Sequence, residues 1–269
     1  ECGFFILSVL VREKRGLSGA GARGYNTDMF QIVLTALTAF AIVWLLGPLL
    51  LPLLQRLKPA QPQREIPPEE PQPVQKKKQT PPPKPPVPTM GGVLVLLAVT
   101  IATLIFGLDG MELSLPSLVT MAALGVLGFI DDFMRVRSVE AMGLRTYQKL
   151  FVELVIAAVV AVWAYRSPMI GSALYMPLSG GEWDLGFWYV PVVILTILLQ
   201  VNAAQMTEGM DGLVNSMSAI NALFMIAIFA VMATTANQNG EFLTGNNLSG
   251  AAIFAAATAG GAVAFLRYN

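Results

Sequence analysis

Histidine is absent from all 269 residues. That excludes imidazole acid–base catalysis and imidazole metal ligands within this chain. Cysteine occurs once, at Cys2, so no intrachain disulfide can form and cysteine usage says nothing about redox compartment. Charge is scarce: 13% of residues are Asp, Glu, Lys or Arg, and the formal net charge is zero. A solvated surface for a soluble domain of this length needs more. No internal repeat is visible. What the chain has in abundance is apolar side chains, 55% of the total, with a mean hydropathy of +0.62. The composition therefore points to an all-α, polytopic membrane bundle.

A bilayer core takes about 20 apolar residues as helix. Seven stretches approach this: 31–54, 91–108, 115–130, 150–166, 187–203, 213–235 and 248–266. Pro48 and Pro52 predict a kink or early stop at the end of the first, and Pro116 fits the first turn of the third. The last is rich in Ala and Gly, which predicts close packing inside the bundle. Residues 1–27 read as a tail, too short in its apolar run to span and wrong in charge order for a signal peptide. The chain opens on Glu1 rather than Met and stops at Asn269 just after an apolar run, so both ends are expected to be cut. Residues 28–269 form the expected membrane domain.

Alternation of the loops places Arg56, Lys58, Arg64, Lys76, Lys77, Lys78, Lys84, Arg135, Arg137, Arg145, Lys149 and Arg267 on one side. The opposite loops carry Arg166, apart from the basic residues of the tail. Lys and Arg accumulate in cytoplasmic loops, so the basic side is expected to be cytoplasmic. One of its loops, 59–88, is Pro-rich and contains Lys76-Lys77-Lys78, a composition suited to extended segments without a packed core.

The adjacent carboxylates Asp131-Asp132 lie where the third apolar run meets a short basic loop. Carboxylates at the mouth of a span are costly unless a cation, substrate or water satisfies them. A second acidic cluster, Thr207-Glu208-Gly209-Met210-Asp211-Gly212, falls at another boundary on the same side. Together they describe a site for Mg²⁺ and phosphate at a bilayer surface. Read singly, Asp131-Asp132 is also a helix end with a solvated neighbour, Lys149 a snorkelling lysine, and Glu153 its partner one turn on, or an interfacial residue.

The motifs, taken in order, carry a resemblance. Pro88-Thr89-Met90-Gly91-Gly92, Gly128-Phe129-Ile130-Asp131-Asp132-Phe133, Gly143-Leu144 with Gln148-Lys149, and Asn202-Ala203-Ala204 running into Thr207-Glu208-Gly209-Met210-Asp211-Gly212-Leu213 resemble the phospho-N-acetylmuramoyl-pentapeptide transferases. These are a branch of the polyprenyl-phosphate N-acetylhexosamine-1-phosphate transferase superfamily. The likeness runs from about residue 30 to 269. It implies transfer of phospho-MurNAc-pentapeptide from UDP-MurNAc-pentapeptide to undecaprenyl phosphate, giving lipid I and UMP for peptidoglycan synthesis. It also implies Mg²⁺ as cofactor, residence in the bacterial inner membrane and a site facing the cytoplasm. The expected catalytic residues are Asp131, Asp132 and Lys149. The expected substrate contacts are Thr89, Asn202, Glu208 and Asp211, and the metal falls to Asp131 and Asp132. Substrates and bilayer are the expected partners; nucleic acid is not, and a homodimer is left open.

The chain departs from the family's pattern at Gln205-Met206-Thr207-Glu208-Gly209, where the family usually has Asn-Leu-Thr-Asp-Gly. Its Pro-rich loop replaces a shorter segment, and the family's main Mg²⁺ aspartate is expected beyond Asn269. Residues 1–269 alone are therefore expected to insert but not to catalyse. The alternatives are a GlcNAc-1-phosphate transferase of the same superfamily, a transporter with carboxylates near mid-span, or a non-catalytic membrane binding protein.

Overall fold

The computed structural model describes residues 23–56, 91–137, 144–176, 181–207 and 212–268. They form helices α1 (Arg23–Arg56), α2 (Gly92–Phe106), α3 (Met111–Arg137), α4 (Thr146–Arg166), α5 (Tyr189–Thr207), α6 (Leu213–Gln238) and α7 (Phe242–Phe265). The architecture is the all-α membrane bundle that the composition predicts. Six of these helices are long and apolar enough to cross a bilayer. The second candidate span is shorter than expected. α2 has 15 residues, about 22 Å of helix, because Gly107 ends it and the short 3₁₀ turn Leu108–Gly110 follows directly.

α7 is the hub. Of its apolar window 78% is buried, against no more than 28% for any other span, and it packs against α1, α2, α3 and α6. Its small residues make this approach physically possible. A Cβ at Gly260 would collide with the Ala36 carbonyl of α1, and one at Gly250 would collide with the Gly110 backbone. The expectation for the last span is thus met at named backbone contacts. Outside this hub, α4 pairs with α3 and α5. Large apolar side chains such as Leu195, Leu199 and Val159 stay exposed on them, as suits helices bathed in lipid.

Of the proline expectations, the early stop in α1 and the first-turn place of Pro116 are corrected. α1 continues through Pro48 and Pro52 to Arg56 rather than stopping. Pro48 has no N–H, so the Trp44 carbonyl loses its intrahelical donor. The Tyr268 hydroxyl donates to that carbonyl at 3.1 Å, the Tyr268 ring fills space left by Gly47, and the Arg267 guanidinium lies 3.8 Å from the Trp44 ring centroid. The freed backbone group is re-satisfied from outside the helix, as the membrane interior demands. α3, in turn, begins at Met111, so Pro116 sits inside the helix and not in its first turn. At the same helix start the Ser114 hydroxyl donates to the carbonyls of Gly107 and Gly110.

Between α4 and α5 the chain forms a two-stranded antiparallel hairpin, β1 (Ala173–Met176) and β2 (Gly181–Asp184), with Leu174 opposite Trp183. The hairpin is closed at its base by the Ser172 hydroxyl, which donates to Asp184 Oδ1 at 2.6 Å. Trp183, Phe187 and Trp188 are exposed beside it, the pattern of an aromatic belt at a membrane interface.

Candidate functional site

The Asp131-Asp132 pair lies within α3, before its end at Arg137. Successive helical residues point about 100° apart, so the two carboxylates have different surroundings. Asp131 is 3% exposed, while Asp132 is half-buried. Asp131 Oδ1 accepts the Leu144 backbone N–H at 2.9 Å, and its Oδ2 pairs with Lys149 Nζ at 3.3 Å. One carboxylate therefore ties the end of α3 to the start of α4. The N-terminus of α4 is fixed locally: Gln148 Oε1 accepts the Arg145 backbone N–H, and the Gln148 N–H donates to the Arg145 carbonyl. That half of a capping box orients the first turn, and Lys149 with it.

Lys149 is the phosphate contact that the resemblance implies; the structure gives it an intramolecular partner in Asp131. The two are compatible. An ammonium has three N–H donors, and the Lys149 side chain keeps 20% of its surface exposed.

Glu153, one turn further along α4, does not partner Lys149, contrary to its i, i+4 spacing. It is 2% exposed and faces α5. Its Oε1 accepts from Gln205 Nε2 at 2.7 Å and its Oε2 from Asn202 Nδ2 at 3.2 Å. Asn202 Nδ2 also donates to the Leu198 carbonyl at 2.8 Å. Asp131 with Lys149, and Glu153 with Asn202 and Gln205, are thus two polar sets on successive turns of α4, the first toward α3 and the second toward α5. Side by side they make a polar seam at the adjoining ends of three helices. Glu153 and Gln205 were not among the expected site residues. The signal was present in both: a carboxylate one turn deeper than Lys149 is too costly to stand alone, and Gln205 follows Asn202 by one helical turn.

The other elements meet at this same end. The left-handed Gly212 (φ 75°), before α6, lies beside Leu266 after α7. Gly91, before α2, packs against Phe265 with no room for a Cβ, and Tyr268 reaches Trp44 of α1. The ends and starts expected to share one face do share it. Thr89, Glu208 and Asp211 lie outside the described residues.

As for a metal, carboxylate oxygens are the ligands Mg²⁺ prefers. It commonly takes only one or two carboxylates from the protein, the rest being water and substrate phosphate. Asp131 and Asp132 fit that donor set. Among the described residues no cluster of three or more acidic, His or Cys side chains offers a fuller cage. Beside the seam, an apolar groove of about 470 Å³ runs between α3 and α4, lined by Val126, Ile130, Leu144, Tyr147 and Phe151 among others.

Comparison with known proteins bears directly on this end of the bundle. The model of the family described as glycosyl transferase family 4 matches residues 114–269, the segment that holds the whole seam. The chain is 31% identical over 242 residues to the phospho-N-acetylmuramoyl-pentapeptide-transferase of Clostridium novyi (strain NT), covering 90% of this chain and 67% of the relative. It is 34% identical over 241 residues to the enzyme of that name from Desulfitobacterium hafniense (strain DSM 10664 / DCB-2), covering 89% and 68%. The enzyme of that name from Clostridioides difficile (strain 630) is 31% identical over 242 residues, covering 89% and 67%.

Proposed function

This chain belongs to glycosyl transferase family 4, and we propose that it transfers phospho-MurNAc-pentapeptide from UDP-MurNAc-pentapeptide to undecaprenyl phosphate, releasing UMP and forming lipid I. The observation that carries the reading is the polar seam at one membrane end, built on Asp131 and Lys149 and lying inside the segment matched by the family. A phosphate oxygen of the lipid attacks the sugar-bearing phosphorus of the donor. The bond from that phosphorus to the oxygen bridging the two phosphates breaks, and UMP leaves with that oxygen. The lipid phosphate is already anionic at neutral pH, so no strong base is required. Catalysis of such transfers rests on positioning and charge neutralisation.

The residues divide that work. Asp131 holds Lys149 at the rim, and the remaining Lys149 N–H groups hold a phosphate. Mg²⁺ would be held by Asp132, the more exposed of the pair, with Asp131 beside it. When bound, Mg²⁺ neutralises phosphoryl oxygens brought together by the two substrates. Asn202, Glu208, Asp211 and Thr89 contact the donor. The apolar groove accepts the isoprenoid chain next to the phosphate site. The protein resides in the bacterial cytoplasmic membrane with this end facing the cytoplasm, where a nucleotide-activated sugar is made.

Exchange of labelled UMP into UDP-MurNAc-pentapeptide, measured with the full-length protein in the presence of undecaprenyl phosphate, tests the reading. Mg²⁺-dependent exchange that is lost in Asp132→Asn is expected. Absence of exchange in the unsubstituted protein with lipid, donor and Mg²⁺ all present would remove the proposal.

A further inference from the structure

Glu153 has no part in the chemistry above, yet it is the most deeply buried acidic side chain among the described residues. It lies seven residues into α4, about 10 Å along the helix axis. A carboxyl at that depth is retained only if its neighbours satisfy it. Here both oxygens accept, one from Gln205 and one from Asn202.

The consequence lies in the amides. Nitrogen and oxygen of an Asn or Gln side chain are assigned from the hydrogen-bond network, and a carboxylate can only accept. Both amides must therefore present their NH₂ groups to Glu153. For Asn202 the second N–H is also committed, to the Leu198 carbonyl. Each amide oxygen is then turned away from Glu153, and among the described residues neither has a protein donor. Asn202 and Gln205 are both half-buried, so their oxygens remain open to a ligand.

We propose that Glu153 is a positioning residue that fixes the hydrogen-bonding polarity of Asn202 and Gln205, so that this side of the site offers acceptors to N–H or O–H groups of the nucleotide-sugar donor. The proposal rests on the transferase reading and adds a division of labour to it. On α4, Lys149 faces α3 and supplies a cation for phosphate. Glu153, one turn on, faces α5 and sets a pair of neutral acceptors. Phosphate is repelled from the second position and drawn to the first. Glu153→Gln keeps the volume and destroys the rule: a Gln can accept through its oxygen but also donates, so one of the two facing amides must turn over.

The test uses the full-length protein in three variants. Glu153→Gln is expected to raise the KM for UDP-MurNAc-pentapeptide by about tenfold, the scale of one misplaced hydrogen bond. The KM for undecaprenyl phosphate should be unchanged and kcat should move less than about threefold. Glu153→Asp, which keeps the acceptor-only character, should fall between Gln and wild type. Glu153→Gln combined with Gln205→Glu rebuilds a carboxylate–amide pair with reversed polarity, and is expected to recover thermal stability without recovering the donor KM. Recovery of both together, or a Glu153→Gln variant with an unchanged donor KM, would overturn the proposal. Infrared difference spectra between wild type and Glu153→Gln give a readout independent of turnover. Loss of ionised-carboxylate bands is expected, whereas loss of a protonated carboxyl band would overturn the polarity argument even if the exchange assay failed for its own reasons.

Discussion

Removing Lys149 should destabilise the protein more than removing Asp131, although the two share one contact. The ion pair joins a carboxylate that is 4% exposed by side chain to an ammonium that is 20% exposed. Breaking a buried pair costs mainly because the survivor keeps its charge without compensation, typically about 3–5 kcal/mol. In Lys149→Met the survivor is Asp131, nearly sealed from water but still holding the Leu144 N–H, so the lower end of that range, about 3 kcal/mol, applies. In Asp131→Asn the survivor is Lys149, whose long stem lets the head reach solvent. Asn also keeps an oxygen that can accept the Leu144 N–H, so the cost falls to about 1–3 kcal/mol. The double variant carries neither charge and should cost little more than Asp131→Asn alone. The coupling energy from the double-mutant cycle is then on the order of 2–3 kcal/mol. Reversible unfolding in mixed micelles measures all four proteins. Additivity within about 0.5 kcal/mol, or the opposite ranking of the single variants, would refute the reasoning. Turnover should separate from stability: Asp131→Asn and Asp132→Asn are each expected to lower UMP exchange by about 10²–10³-fold, the scale of losing one charge-positioning group.

Neighbouring glycines of α7 should respond with opposite sign. Gly260→Ala drives a Cβ into the Ala36 carbonyl and should cost about 1–3 kcal/mol as overpacking, whereas Gly261→Ala meets only ordinary contacts with Val95 and Val99 at 3.4–3.5 Å and should be neutral or stabilising by about 0.5–1 kcal/mol; thermal unfolding of the two variants decides it. The Asp184 carboxyl is held below its ordinary value of 3.8, first by the Ser172 hydroxyl and then by the Gly186 N–H. A depressed folded value means stability that is present above the unfolded value and lost as pH falls through the folded one, so the difference between wild type and Asp184→Asn should be flat at neutral pH and fade below 3.8. Val126→Trp, which fills the groove between α3 and α4, should raise the KM for the lipid acceptor and leave the donor KM alone; equal effects on both would detach the groove from the acceptor. Cysteines placed in loop 59–88 should resist an impermeant thiol reagent in intact cells, and rapid labelling there would reverse the orientation inferred from Lys and Arg.

The number of helical segments was legible because hydropathy reports what lies in lipid, and it reports that strongly over 18 or more residues. The burial of α7 was legible from its Ala and Gly content. The limits were local. α2 is apolar throughout, so hydropathy could not show that Gly107 ends it before a full span. The apolar run of α3 shows only from Leu115 because Asp109, Glu112 and Ser114 dilute the signal before it, although residues 111–114 already belong to the helix. There Ser114 caps the carbonyls of Gly107 and Gly110.

At the candidate site, motif order singled out Asp131, Lys149 and Asn202, and one dimension of sequence could not say which of them touch. Lys149 and Glu153 are four apart on one helix, the spacing at which opposite charges usually pair. The bundle overrides that preference because each finds a better partner on a different neighbouring helix: Asp131 is held in place by the Leu144 N–H, and Gln205 and Asn202 bring N–H donors to both oxygens of Glu153. The match to glycosyl transferase family 4 speaks against the transporter alternative, and the surroundings of Glu153 agree. That alternative predicts carboxylates near mid-span, and Glu153, about two turns into α4, is the one that comes nearest. But a carboxylate on a conduction path must exchange partners with passing ions, and this one has both oxygens committed to amides of a single helix. Its depth marks a fixed strut between α4 and α5. A group of that kind suits the proposed site, which would work by holding its substrates still, as phosphoryl transfer requires.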